Sequence, residues 1–212
     1  GTNNTALGYQ AGLVLTTAAE CTLIGYQAGK ALTLAASASG STAVGSNALS
    51  LATTAGGLTA VGYQSLKSCT GANNTAIGYN SGLGILGGTN NTIVGNTAGN
   101  TLDIALNCTL IGNAAGSGIS ALTAVSGCTA IGSNTVTAAT VVAGLTAVGF
   151  EALKVVNGAN NTAVGFSAGT AITTATDCTL LGFQAGKALT TTASATGSTA
   201  VGSNALSLAT TA

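Results

Sequence analysis

Apolar and polar positions along this chain come in short, recurring bursts. Each burst opens on Thr, continues with Ala, Leu or Ile, then Val, Ile or Leu, and closes on Gly before a variable stretch follows. It starts at Thr5, Thr22, Thr42, Thr59, Thr75, Thr92, Thr109, Thr129, Thr146, Thr162, Thr179 and Thr199. The steps between these twelve copies are uneven, from sixteen to twenty positions, and the longest recurs after Thr22, Thr109 and Thr179. Residues Gly40–Ala55 and Gly197–Ala212 are the same sixteen-residue string, so several units were duplicated at once. Branched apolar residues favour strands, and a Gly at constant phase marks a sharp corner or a close approach of backbones. Each unit therefore predicts a short strand, a corner, a second short extended segment and a loop.

With each Thr counted as position 0, position 3 is Gly in every copy: Gly8, Gly25, Gly45, Gly62, Gly78, Gly95, Gly112, Gly132, Gly149, Gly165, Gly182 and Gly202. Position 2 is always Val, Ile or Leu, and position 6 is Ala in nine copies, for example Ala11, Ala48 and Ala185. A unit this short cannot bury its own apolar side. Stacked on its neighbours at about 4.8 Å per coil it can, and twelve coils then span roughly 58 Å. The expected fold is all-β: a parallel β-solenoid or β-roll of about twelve coils of this length, with residues 1–212 forming a single repeat array. A disordered low-complexity chain would not hold one column apolar twelve times.

Other side chains obey the same register. All seven aromatics, Tyr9, Tyr26, Tyr63, Tyr79, Phe150, Phe166 and Phe183, stand at position 4, and all four lysines, Lys30, Lys67, Lys154 and Lys187, at position 8. The aromatic column predicts two blocks of stacked rings, separated by Asn96, Asn113 and Ser133. It is either a surface ladder for a sugar or another surface, or packing between coils or chains. The residue before each Thr is Asn in four units (Asn4, Asn74, Asn91, Asn161), Cys in four (Cys21, Cys108, Cys128, Cys178), and Ser or Leu in the rest. Stacked Asn amides can hydrogen-bond from coil to coil. Of the five cysteines only Cys108 and Cys128 come from consecutive units. One coil step permits a disulfide there, although small apolar thiols buried in an Ala-rich core are the plainer expectation.

Composition narrows the function. Four basic and four acidic residues give a net charge of zero, with no footprint for nucleic acid or anionic lipid. Thr, Asn and Gly interrupt every apolar run before the roughly 18 residues that a membrane span needs. There is no His, and Glu20, Asp103, Glu151 and Asp177 are scattered, which leaves no positioned acid/base pair or activated nucleophile. No CxxC pair or phosphate loop appears, so neither enzyme activity nor a cofactor or metal is expected. The repeat is already running at Gly1 and still running at Ala212, as expected for an excerpt of a longer fibre.

The kernels Ser198–Ala205 (STAVGSNA), Leu58–Ser65 (LTAVGYQS) and Asn161–Ala168 (NTAVGFSA) resemble the (Ser/Thr)-x-Ala-(Ile/Val)-Gly-x-x-Ala repeats of trimeric autotransporter adhesin heads. They are closer still to the Asn-Thr-Ala-(Ile/Val)-Gly-Tyr-Gln-Ala repeats of tail-fibre-domain proteins of bacteria and phages. The resemblance covers essentially the whole chain. It implies parallel β-rolls wound as a homotrimeric shaft or head, displayed outside the cell, on a cell surface or on a virion. Longer, less uniform coils and a Cys column depart from the adhesin-head pattern.

Val44–Leu49 also fits one hexapeptide of a left-handed β-helix, but each unit holds a single strong hexad. A coil with one good apolar strand is expected to close poorly alone, whereas three chains about a common axis would each contribute a Val/Ile/Leu column. Three functions follow: a structural shaft or stalk of a tail fibre or surface adhesin, an adhesin head binding host-surface glycan through its aromatic or Thr ladder, and an ice-binding solenoid. For the last, the unequal coil lengths are expected to spoil the flat Thr array.

Overall fold

The structure is a computed structural model, describing residues 1–32, 39–119, 125–139, 143–189 and 195–208. It is a parallel β-solenoid without an α-helix among the described residues. One three-residue strand per unit, from Thr5–Leu7 to Thr199–Val201, builds a twelve-stranded parallel sheet in strict sequence order. Thr faces Thr at every step, as in Thr59↔Thr75 and Thr109↔Thr129. The variation in coil length is absorbed entirely by the loops and never reaches the sheet. The expected second extended segment is mostly turn. Beyond the main sheet, two-residue strands pair only as Ala105–Leu106 with Val125–Ser126, and Val155–Val156 with Ala171–Ile172, among the described residues.

Strand side chains alternate between faces with period two. Position 1 points inward and is buried in every coil from Leu23 to Ala200. Position 6 joins it, with Ala28, Ala48, Ala98, Ala115, Ala152, Ala168 and Ala185 fully buried. The column before Thr is buried from Cys21 through Cys178. A single chain thus closes its own core, contrary to the expectation that one coil closes poorly without partners. Positions −1, 1 and 6 supply apolar surface that a reading centred on the Val/Ile/Leu column does not count.

The remaining core volume is filled in two interchangeable ways. Where position 7 is Gly, as at Gly29, Gly82, Gly99 and Gly169, the residue three further on is Leu32, Ile85, Leu102 or Ile172, and it is buried. Where position 7 is Leu49, Leu66, Val136 or Leu153, that large side chain is buried and the later residue is Ala52, Cys69, Ala139 or Val156. Interiors pack to near-crystalline density, so at least one of the two addresses must supply a large group in each coil, and in the coil of Leu153 and Val156 both contribute. Leu49, Leu66, Val136 and Leu153 achieve this at positive φ, between 46° and 52°.

The corner at position 3 requires glycine. Gly45 has φ 133°, and a Cβ there would stand 2.6 Å from the carbonyl oxygen of Gly62 on the next coil. Two residues later every coil turns again through a left-handed residue, from Gln10 (φ 56°) to Asn204 (φ 57°). Asn, Gln and other polar residues predominate there, as expected where a short side chain can compensate the left-handed backbone.

Candidate functional site

The outward face of the twelve-stranded sheet is the most regular surface of the molecule. Positions 0 and 2 share this face because position 1 points in. The Val/Ile/Leu column is therefore a surface column. Ile77 is 41% exposed, Ile131 37% and Leu181 44%, rising to 66% and 64% at the terminal rungs Leu7 and Val201. Beside it runs the Thr column, half-buried to exposed. No charged residue occupies positions 0 to 2 of any unit. The face offers periodic hydroxyls and branched apolar side chains at one strand spacing, about 4.8 Å. That regularity removes the objection drawn from unequal coil lengths, although the alternation is Thr with Val, Ile or Leu and not Thr with Thr.

Just past the corner glycines stand the seven aromatics, all exposed. They form three stacks where the column suggested two blocks: Tyr9–Tyr26 at 5.5 Å between centroids, Tyr63–Tyr79 at 5.2 Å, and Phe150–Phe166–Phe183 at 5.0 and 5.5 Å. Ser46 stands at position 4 between Tyr26 and Tyr63 and breaks the first block. Neighbouring rings lie within 18° of parallel, so they spend their faces on one another. Phe166 is sandwiched on both sides, whereas each of the other six rings has a single stacked neighbour. Gln64 Nε2 donates to the Tyr63 hydroxyl at 3.1 Å, and Gln27 Nε2 to Gln10 Oε1 at 2.8 Å.

The Asn column lies inside at Asn74, Asn91 and Asn161 and is half-buried at Asn4. Asn91 Nδ2 donates to Asn74 Oδ1 at 2.9 Å, the coil-to-coil amide bond expected for neighbours in this column. Asn4 and Asn161 instead accept from the backbone N–H of Cys21 and Cys178, each at 2.9 Å. A second, exposed ladder lies beyond what the sequence reading expects. Asn73 donates to Asn90, and Asn90 to Asn107, at 3.3 Å each, while Asn160 donates to Asp177 at 3.1 Å. Its signal stands two residues before each Thr, where only Asn, Gly, Asp and Glu occur. These are residues suited to the left-handed backbone found there, such as Asn73 at 60° and Asp177 at 60°. Hydrogen bonds from Thr176 and Asn160 hold the Asp177 carboxyl below the usual aspartate range.

All five cysteines are buried thiols. Burial pushes the Cys69 and Cys178 thiols up, while Cys108 and Cys128 touch through their side chains. Lys154 reaches Glu151 at 2.7 Å across one turn. Among the described residues no group of three or more His, Cys, Asp or Glu side chains is placed to hold a metal ion. No helix among them is long and apolar enough to cross a membrane. Comparison with protein-family models, with curated proteins and with solved structures finds no match to this chain.

Proposed function

We propose that the chain is a non-catalytic structural rod, a shaft segment of an extracellular or virion fibre, assembled as a homotrimer through the outward face of its sheet. The observation that carries this reading is the Val/Ile/Leu column, apolar on all twelve rungs yet left outside a core the chain closes by itself. A contiguous apolar stripe on a soluble surface is costly to leave in water and marks an interface. Its freedom from charge and the flanking aromatics match the composition of interface centres. Rotational symmetry with parallel axes places the same column of each copy against the others along the whole rod. Parallel hydrogen bonding along the axis makes each coil a template for the next, which suits a stiff spacer.

The test is mass by light scattering joined to low-resolution imaging. The expected result is about three times the 19.9 kDa chain mass, in elongated particles. Ile111→Lys, on the outward face and clear of the coil core, should release monomers of unchanged circular dichroism. A compact, monomeric wild-type particle would sink the trimer. The exposure of the aromatic stacks supports a second reading, a glycan-binding adhesin head. Its signature would be glycan-array binding lost in Tyr63→Ala and Phe166→Ala.

A further inference from the structure

Three units have the twenty-residue length, and each is entered through a Cys: Cys21, Cys108 and Cys178. At the end of two of them the stacked partner in the same column is a Ser, Ser41 above Cys21 and Ser198 above Cys178. In the middle one it is Cys128. The sheet is in register at this step, Thr109 opposite Thr129, and the Thr109 N–H donates to the Cys128 carbonyl at 2.8 Å. The two cysteines are thus one strand spacing apart, about 4.8 Å, inside the span of roughly 4.4 to 6.8 Å between Cα atoms that a disulfide accepts. Their side chains point to the same interior, each 1% exposed, with the Cys128 thiol hydrogen-bonded to the Cys108 sulfur.

We propose that Cys108 and Cys128 form a redox clasp, oxidised by a low-molecular-weight disulfide to a coil-to-coil disulfide that closes the twenty-residue unit between them. The Cys108 thiolate attacks one sulfur of the oxidant and displaces its other half as a thiolate. The Cys128 thiolate then attacks the Cys108 sulfur of the mixed disulfide and releases the second half. Two cysteine thiols lose two electrons and two protons, and the oxidant leaves as two thiols. The interaction with Cys128 lowers the Cys108 thiol below its ordinary value against the opposing effect of burial; attack in the opposite order, Cys128 first, gives the same disulfide. Burial makes both entry of the oxidant and later reduction depend on transient opening of this coil, so each step is slow. Cys21, Cys69 and Cys178 have no cysteine on a neighbouring rung of their columns.

The reduced protein would be incubated with oxidised glutathione, then denatured, alkylated and weighed. The wild type should show three alkylated thiols in place of five, within a single chain and without retained glutathione. Cys128→Ser recreates the Cys–Ser arrangement of the two sister coils and therefore folds; it should keep all four of its thiols, as should Cys108→Ser. The oxidised wild type should also melt several degrees higher than the reduced form, a shift erased by dithiothreitol and absent in Cys128→Ser. Five alkylated wild-type thiols, persistent glutathione adducts, chain-to-chain disulfides or equal thiol loss in Cys128→Ser would each overturn the clasp.

Discussion

Asn91 points its side-chain amide at Asn74 on the preceding coil, and both the Nδ2 and the backbone N–H of Asn91 reach the same Asn74 oxygen, at 2.9 and 3.0 Å. The Asn74 amide in turn donates to the Gly88 carbonyl at 2.7 Å and the Gly71 carbonyl at 3.0 Å. One buried side chain therefore satisfies backbone groups of two coils. Asn74→Ala strands those groups in the interior, at about 1–3 kcal/mol for each buried group left unpaired. The expected loss is about 3 kcal/mol or more, read as a lower denaturant midpoint. Amide exchange at Asn91 should accelerate well before global unfolding, because coils in a solenoid lean only on their neighbours.

The exchange of core volume between positions 7 and 10 can be tested by swapping one coil for the other type. Leu66 lies in the core beneath Gly82, where an added Cβ would meet Leu66 Cδ2 at 2.8 Å. Leu66→Gly alone should cost about 2–4 kcal/mol, the cavity outweighing the relief of a left-handed leucine. Adding Cys69→Leu refills that cavity from the address used by Leu32 and Leu102. The double variant should recover most of the loss in chemical denaturation, and strict additivity of the two changes would count against the exchange.

At the corner, Gly45→Ala combines a backbone conformation close to glycine-only with a collision against the Gly62 carbonyl. The strain alone is about 1–3 kcal/mol. Hydrogen exchange should show loss of protection on the coils beginning at Thr42 and Thr59, with distant coils unaffected.

Asp177 sets a pH dependence of defined sign. Its folded-state pKa lies below the unfolded one because Thr176 and Asn160 donate to the carboxylate. Its contribution is therefore complete above the unfolded value, about 3.9, and fades as pH falls through the lower folded value. A carbon-detected NMR titration should find the Asp177 midpoint below that of a free aspartate. Asp177→Asn should remove this dependence while extending the exposed Asn ladder.

The sequence by itself determined the period, the strand at each Thr, the corner at each invariant Gly and the parallel stacking. These follow from local backbone preference and from the inability of a single unit to bury its apolar side. Cysteine burial and an asparagine ladder were legible for the same reason, since a residue type at one phase must stack upon itself. The tertiary structure alone decided which face of the strand looks inward. A three-residue strand sends position 1 one way and positions 0 and 2 the other, and hydrophobicity points to the Val/Ile/Leu column as the core. The narrow interior instead takes Ala, Leu and Ile at position 1, fills up with Ala48-type residues and at least one large side chain per coil, and leaves Ile77, Ile131 and their column outside. Closure of the coil is a property of the loops as much as of the strands. Their three-dimensional path closes each coil within one chain and leaves the Val/Ile/Leu column as the surface on which the proposed assembly rests.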